Sequence, residues 1–150
     1  METKKIYLHS QVLWSMIDIN GHLRHSAYAD LAAQARVNVL VDLGLDKAAM
    51  KLGLGPILFR EELVYHKEIK PNDMVSVSVA LKKFRQDGKR YTLVSEIYNA
   101  AQSLCATVTV DGAWLDIKTR KLAALPQELN DAFVKIPRTE DFLLEAAPEE

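Results

Sequence analysis

Apolar positions between residues 26 and 43 recur at the three- and four-residue spacing of an α-helix. Ser26 is a suitable N-cap for this segment, and Gly44 follows it as a stop signal. The pattern therefore predicts a helix over residues 26–43, the only long helix expected in the chain. Few charged residues interrupt it, which favours burial on most sides. The apolar positions are Tyr28, Leu31, Ala32, Ala35, Val39 and Leu43.

Segments rich in β-formers follow Pro56 and predict four consecutive strands. Short turn sequences separate the strands, including Pro71-Asn72-Asp73 and the hairpin signal Asp87-Gly88. Consecutive strands with short connections favour an antiparallel meander. The predicted strands cover residues 57–69, 74–84, 90–99 and 104–115.

The two ends of the chain add smaller elements. Residues 6–14 predict a first strand, residues 46–52 predict one helical turn, and Pro126 predicts the start of a short C-terminal helix. Residues 146–150 are expected to be frayed. The order of these elements predicts an α+β fold, in which a curved antiparallel sheet wraps around one long helix.

Composition agrees with one globular domain. The 150 residues are 49% hydrophobic and 26% charged, with a net charge of -1, and a chain of this length buries roughly two-thirds of its unfolded surface. We expect a single domain over residues 1–150, with a core at about 6–126 and a C-terminal extension at about 127–150. The chain lacks the basic excess that is usual in nucleic-acid-binding proteins, so we expect no nucleic-acid partner.

The N-terminal apolar run is too short for a signal peptide or a membrane span. We therefore expect a cytoplasmic protein with no membrane partner. The single cysteine, Cys105, excludes an internal disulfide and lies in an apolar run that is typical of a buried strand.

The stretch between the first predicted strand and the body of the long helix, residues 14–28, is too polar for an ordinary connection. It brings carboxylate, amide, imidazole and guanidinium groups close together, and loops held by rigid elements commonly carry function. We therefore take this stretch as the candidate functional site. Its polar side chains are those of Asp18, Asn20, His22, Arg24 and His25.

The sequence Asp18-Ile-Asn-Gly-His22, followed by Tyr28, resembles a loop of the hot-dog-fold acyl thioesterases. Plant acyl-carrier-protein thioesterases have a similar Asp-x-Asn-x-His. Bacterial acyl-CoA thioesterases, including those of the 4-hydroxybenzoyl-CoA thioesterase type, share the Gly-His and the later Tyr. Tyr65 with Asp73 is similar to the end of the family's second strand, although Glu68 and Asn72 replace the usual Pro and Gly there. Residues 114–126 are similar to the family's last strand and exit.

This resemblance implies a hot-dog fold, hydrolysis of acyl-CoA or acyl-carrier-protein thioesters, and a homodimer or homotetramer with sites at the subunit interface. It implies no cofactor beyond the coenzyme A or acyl carrier protein that is part of the substrate. Two departures from the family bear on catalysis: Met16 replaces an acidic residue of many bacterial members, and Arg24-His25 replaces an asparagine pair. A non-catalytic module that binds acyl thioesters is therefore an alternative. A hot-dog hydratase or dehydratase is disfavoured, because its motif has a proline and one more residue before the histidine.

Thioester hydrolysis needs a base for the attacking water and donors for the oxyanion. Asp18 is the candidate base or orients His22, and Asn20 can hold the water or the carbonyl group. The structural alternatives are that the Asp and Asn tighten the turn and that the His is a packed side chain. Backbone N–H groups at the helix start can meet the oxyanion. The candidate substrate-binding residues are Gly21, Arg24, His25, Ser26 and Tyr28, of which Tyr28 is also a candidate pocket wall.

Glu61 is a second candidate base. By strand alternation it shares the more apolar face with Phe59 and Leu63, and a carboxylate on such a face is costly unless it is paired. Burial there would also raise its pKa toward that of a useful base. The structural alternative is an ion pair with Arg36 or Arg60.

Other polar groups give weaker signals. His22 and His25 lack further ligands at a recognisable metal spacing, so no metal is expected. A basic cluster around Asp87-Gly88 can meet the phosphates of coenzyme A, although a solvated hairpin tip is the simpler interpretation. The cluster consists of Lys82, Lys83, Arg85, Lys89 and Arg90.

Overall fold

The predicted long helix is present as α1, His25–Asp42, in the computed structural model of the protein, which describes residues 5–149. The prediction that Ser26 caps it is wrong. Arg24 is the N-cap, in an extended conformation and without a side-chain cap hydrogen bond, so Ser26 lies inside the first turn. Gly44 follows the helix with a φ of 71°, as its stop signal predicted, and α2, Leu45–Lys51, begins directly after it.

One face of α1 lies at the centre of the core. Leu43 is half-buried, and the other apolar positions predicted for the helix are buried. Ala32 and Ala35 are fully buried, and their small side chains allow close approach of the sheet. The expectation of burial on most sides is wrong, because Val37 and Val41 are about half exposed on the opposite face.

Within the described residues, eight strands form one curved sheet, and the first of them ends earlier than predicted. The predicted strand at 74–84 is divided at Val79, because its two halves pair with different outer neighbours. Cys105 is fully buried in the sheet, as predicted. The strands are β1 Ile6–Gln11, β2 Leu54–Tyr65, β3 Met74–Ser78, β4 Ala80–Arg85, β5 Arg90–Tyr98, β6 Leu104–Asp116, β7 Lys121–Leu122 and β8 Arg138–Glu145.

The sheet is a meander only in its middle. β3 and β4 pair in succession with β5, which pairs with β6, as predicted. The expected position of β2 beside the next strand is wrong, because β2 pairs with β6 along its whole length. The connection after β2 runs to the start of α1, where the Leu23 N–H donates to the carbonyl of buried Ile69 at 2.9 Å. The chain therefore enters β3 on the far side of the sheet, next to β1.

The C-terminal segment closes one end of the core. α3, Gln127–Phe133, begins after Pro126, as predicted. Phe133 packs against Tyr91 and Trp114, with ring centroids 5.0 and 6.0 Å apart. β8, which the sequence pattern did not indicate, pairs in parallel with β4. In the predicted frayed end, residues 146–149 have no regular secondary structure, and residue 150 lies outside the described residues.

Candidate functional site

The candidate loop is a tight turn closed by a bridge between Ile17 and Leu23. The Asp18 N–H donates to the His22 carbonyl at 2.9 Å, and the Gly21 N–H donates to the Asp18 carbonyl at 3.1 Å. Gly21 has a φ of 77°, a conformation that residues with a side chain rarely adopt. The glycine therefore allows the chain to reverse between the two polar positions.

The Asp18 side chain holds the turn together. Its Oδ1 accepts hydrogen bonds from the backbone N–H groups of Asn20, at 2.9 Å, and His22, at 3.3 Å. The turn-tightening interpretation is therefore correct for Asp18, while Asn20 is exposed at the tip of the turn. These bonds use Oδ1 and hold the carboxylate beside the His22 backbone.

Arg24 fastens the loop to the first turn of α1. Its Nη1 donates to the Ser15 carbonyl at 2.8 Å, and its Nε donates to Ser26 Oγ at 3.0 Å. Nη2 lies 3.5 Å from the Asp30 carboxylate. Arg24 and Ser26, both predicted to contact substrate, are thus engaged with each other and with the scaffold.

A surface depression of about 530 Å³ lies between the loop, the start of α1 and the end of β2. It brings together most of the predicted site residues, and Gly21 belongs to the turn at its rim. Three lining residues, Leu23, Tyr65 and Glu68, were not predicted as site residues. The full lining is Asp18, Asn20, His22, Leu23, His25, Tyr28, Tyr65 and Glu68.

His22 and Glu68 meet in this depression, with 3.0 Å between Nε2 and Oε2. The His22 side chain is 34% exposed and that of Glu68 is 73% exposed. A carboxylate bonded to an imidazole nitrogen orients the ring and favours one tautomer. Glu68 occupies a position where the hot-dog thioesterases usually have proline. That replacement is the only signal in the sequence that distinguishes Glu68 from an ordinary surface residue.

Two tyrosines form the inner wall of the depression. Tyr28 and Tyr65 pack edge to face, with ring centroids 5.1 Å apart, and the Tyr65 hydroxyl donates to the His25 carbonyl at 3.2 Å. Burial raises the pKa of Tyr28 to about 12. Its hydroxyl is therefore protonated at neutral pH, where it can donate a hydrogen bond but cannot accept a proton as a base.

Glu61 lies outside the depression. Its carboxylate is 3.8 Å from Nη2 of Arg36, which follows Tyr28 on α1 by about 12 Å along the helix axis. Arg60 instead pairs with Glu62 at 2.6 Å. Of the two predicted partners for Glu61, the structure therefore selects Arg36. The two candidate bases, Asp18 in the loop and Glu61 on β2, therefore lie in separate environments.

The weaker candidates have structural partners. Among residues 5–149, no group of three or more His, Cys, Asp or Glu side chains is arranged to hold a metal ion. In the basic hairpin, acidic side chains neutralise Lys82, Lys83 and Arg85, and Arg90 stacks over the Phe59 ring at 4.6 Å. No helix in the described part of the chain is long and apolar enough to cross a membrane.

Comparison with protein-family models places the loop, α1 and the central strands in one family. The model of the thioesterase-like superfamily matches residues 12–133. The chain belongs to this superfamily. That assignment and the sheet wrapped around α1 confirm the predicted hot-dog, α+β fold. A comparison with curated proteins finds no match.

Solved structures resemble this superfamily member over most of its length. A Staphylococcus aureus protein in complex with CoA has a TM-score of 0.81 at 19% identity, covering 93% of this chain and 90% of that one. A Synechocystis 1,4-dihydroxy-2-naphthoyl-CoA thioesterase has a TM-score of 0.74 at 18% identity, with coverages of 85% and 93%. A DHNA-CoA thioesterase from Staphylococcus aureus has a TM-score of 0.77 at 23% identity, with coverages of 85% and 87%. At these identities, the likeness establishes the shared fold.

Proposed function

We propose that the protein is a thioester hydrolase that converts an acyl-CoA or acyl-carrier-protein thioester to a free acid and a thiol. The observation that carries this proposal is the depression at the start of α1, where Asp18 and the His22–Glu68 pair lie together. Membership of the thioesterase-like superfamily supports the reaction type. Similarity to a structure solved with CoA, and to two named as CoA thioesterases, supports CoA as the carrier.

In the proposed reaction, Asp18 Oδ2 takes a proton from water as the water oxygen attacks the thioester carbonyl carbon. The resulting oxyanion is stabilised by backbone N–H groups at the start of α1. The N–H of Ala27 is not one of them, because it donates to the Arg24 carbonyl at 3.0 Å. The tetrahedral intermediate then collapses and the C–S bond breaks. The proton returns to the leaving sulfur, giving the acid and the thiol.

Neighbouring side chains position the reactants in this scheme. Glu68 orients the His22 ring, which can hold the water or the carbonyl group from the other side of the turn. Asn20 supplies an amide at the turn tip, and Tyr28 supplies a protonated hydroxyl. Glu61 is the weaker candidate for the base, because Arg36 already neutralises its charge.

A panel of acyl-CoAs tests this function through the release of free thiol. We expect turnover by the natural sequence and a loss of about 10²-fold or more in Asp18→Asn, the range typical of general-base removal. Asparagine keeps an oxygen that can accept both turn hydrogen bonds, so the fold should persist. The matched variant Glu61→Gln should keep most of the activity. No thiol release for any acyl chain contradicts the proposal, and loss in Glu61→Gln alone moves the base to β2.

The second candidate function is a module that binds acyl thioesters without hydrolysing them. Two observations favour it: Met16 cannot accept a proton, and Asp18 Oδ1 is already used by the turn. This alternative predicts that CoA binds, measured by calorimetry, while the same panel releases no thiol. Turnover in the panel excludes it.

We also propose that the protein forms a homodimer. A homotetramer would consist of two such dimers. β2 is an open edge that pairs only with β6 among the described residues, and it exposes Leu58, Phe59 and Val64. Long apolar edges are usually covered in native proteins. Because β2 ends at the depression, a second copy along this edge would lie beside the site.

A further inference from the structure

A second cavity, of about 200 Å³, lies between α1, β2, β5 and the end of α3, and its lining includes the half-exposed side chains of Val37 and Leu58. Its walls are almost entirely apolar, with Ala33, Val37 and Leu40 on α1 facing Phe133 and Ile136. An apolar cavity of about 150 Å³ is known to bind benzene. This cavity therefore has room for a group of roughly benzene size with a few additional atoms.

One charged side chain interrupts the apolar wall. The Arg36 side chain is only 14% exposed, and its Nη2 faces Glu61 at 3.8 Å. Its Nη1 is buried and has no hydrogen-bond partner within residues 5–149. Burial also lowers the pKa of this guanidinium. A buried charged donor without an acceptor is costly, because it has lost its hydrogen bonds to water.

The negative charge of Glu61 indicates which kind of ligand atom would accept a hydrogen bond from Arg36 Nη1. The carboxylate of Glu61 already offsets the guanidinium charge. A second carboxylate, placed in the apolar cavity, would lose its hydration without gaining a counter-ion of its own. An uncharged hydroxyl or carbonyl oxygen has a much smaller desolvation cost and can accept the same hydrogen bond.

The position of the cavity relates it to the depression. α1 carries residues of both sites, with Tyr28 in the depression and Arg36 in the cavity wall. Eight residues of helix separate these two, which is about 12 Å along the axis. An extended chain covers about 1.2 Å per bond, so roughly ten bonds span the gap. On β2, half-buried Leu63 lies between Tyr65, which lines the depression, and Glu61, which pairs with Arg36 of the cavity wall.

We propose that this cavity binds the far end of the substrate's acyl group, and that Arg36 Nη1 selects an uncharged hydroxyl or carbonyl oxygen there. The identification of the occupant as an acyl group rests on the proposed thioesterase function. Binding of a neutral oxygen by the cavity does not depend on that function, so it can be measured with small molecules in the absence of turnover.

The test uses three probes of similar size, titrated into the full chain and followed by calorimetry. Acetophenone carries a neutral acceptor, α-methylstyrene is its hydrocarbon analogue, and benzoate carries a charge. We expect acetophenone to bind about tenfold more tightly than α-methylstyrene, as for a hydrogen bond to a charged group, and more tightly than benzoate. Arg36→Met should remove the preference, whereas Arg60→Met, which changes an exposed arginine next to Glu61 on β2, should keep it.

Ala33→Leu fills the cavity without changing Arg36 and should weaken all three probes, so the test does not depend on one variant folding. Equal binding of acetophenone and α-methylstyrene, a preference that survives in Arg36→Met, or unchanged binding in Ala33→Leu each overturns the inference. Tighter binding of benzoate overturns the choice of a neutral oxygen. Thiol release decides the proposed function separately: probe binding without release refutes only the thioesterase, and release without probe selectivity refutes only the role of the cavity.

Discussion

At the residue scale, the positive φ of Gly21 allows the turn that places Asp18 near His22. A β-carbon on Gly21 would meet no atom within 4 Å, and the same is true of Gly53, whose φ is 70°. Gly21→Ala and Gly53→Ala should therefore each lower the free energy of unfolding by about 1–2 kcal/mol through backbone strain alone, measured in urea. Only Gly21→Ala should also reduce thiol release, because it displaces Asp18 relative to His22. Equal activity in the two variants would show that the turn does not position the chemistry.

Tyr28 gives a prediction about pH. Burial raises its pKa from 10.0 to about 12, so the folded state binds the phenolic proton more tightly than the unfolded state. This contribution to stability is complete below pH 10 and is lost as the pH rises from about 10 to 12. Tyr28→Phe should therefore show a shallower fall in unfolding free energy over that window than the natural sequence, in urea titrations at several pH values. An equally steep fall would contradict the burial argument.

The residues of the depression differ in how far sequence could predict them. Asp18 and His22 are four positions apart, so a tight turn between them brings their polar groups together by local geometry alone. Glu68 meets His22 only because the connection after β2 crosses the start of α1, where Ile69 is anchored to Leu23. No local pattern specifies that crossing. The partner of Glu61 is likewise set by packing between distant segments, because Arg36 lies on α1 and not on β2.

At the scale of elements, α3 belongs to the core although it follows the strands that wrap α1. Phe133 is 1% exposed and contacts the rings of Tyr91 and Trp114. Phe133→Ala should lower the free energy of unfolding by about 3–5 kcal/mol, as expected for a buried aromatic side chain. The matched variant Phe142→Ala, at a half-buried position in β8, should cost clearly less. Similar losses from the two variants in denaturant titrations would place α3 outside the cooperative core.

The elements that sequence predicts well are those fixed by local signals. Helical spacing and the left-handed Gly44 place α1 within one residue at each end, and Asp87-Gly88 marks the β4–β5 hairpin. Strand partners depend on contacts that are distant in sequence. The pairing of β2 with β6, the division at Val79 and the parallel docking of β8 therefore became known only from the structure.

At the scale of the whole molecule, the described sheet is open at β2 on one side and at β1 and β8 on the other, and the β2 and β8 edges differ in character. β2 is long, exposes apolar side chains and ends at the depression. β8 also exposes apolar side chains at Leu143 and Leu144, but its backbone pairs in parallel with β4, away from the site. If the site is completed by a second copy, β2 is the edge that must be covered. The two edges can be disrupted separately by equal changes in charge.

The double variant Phe59→Lys/Val64→Lys places two added charges along β2, and four would meet across a two-fold axis. We expect the natural sequence to have at least twice the mass of one chain in light scattering. Because such charges prevent edge pairing, this variant should be monomeric and should show reduced thiol release. Leu143→Lys/Leu144→Lys adds the same charge to β8 and should leave mass and activity unchanged. A monomer only in the β8 variant would move the interface to that edge, and monomeric natural protein would refute the dimer.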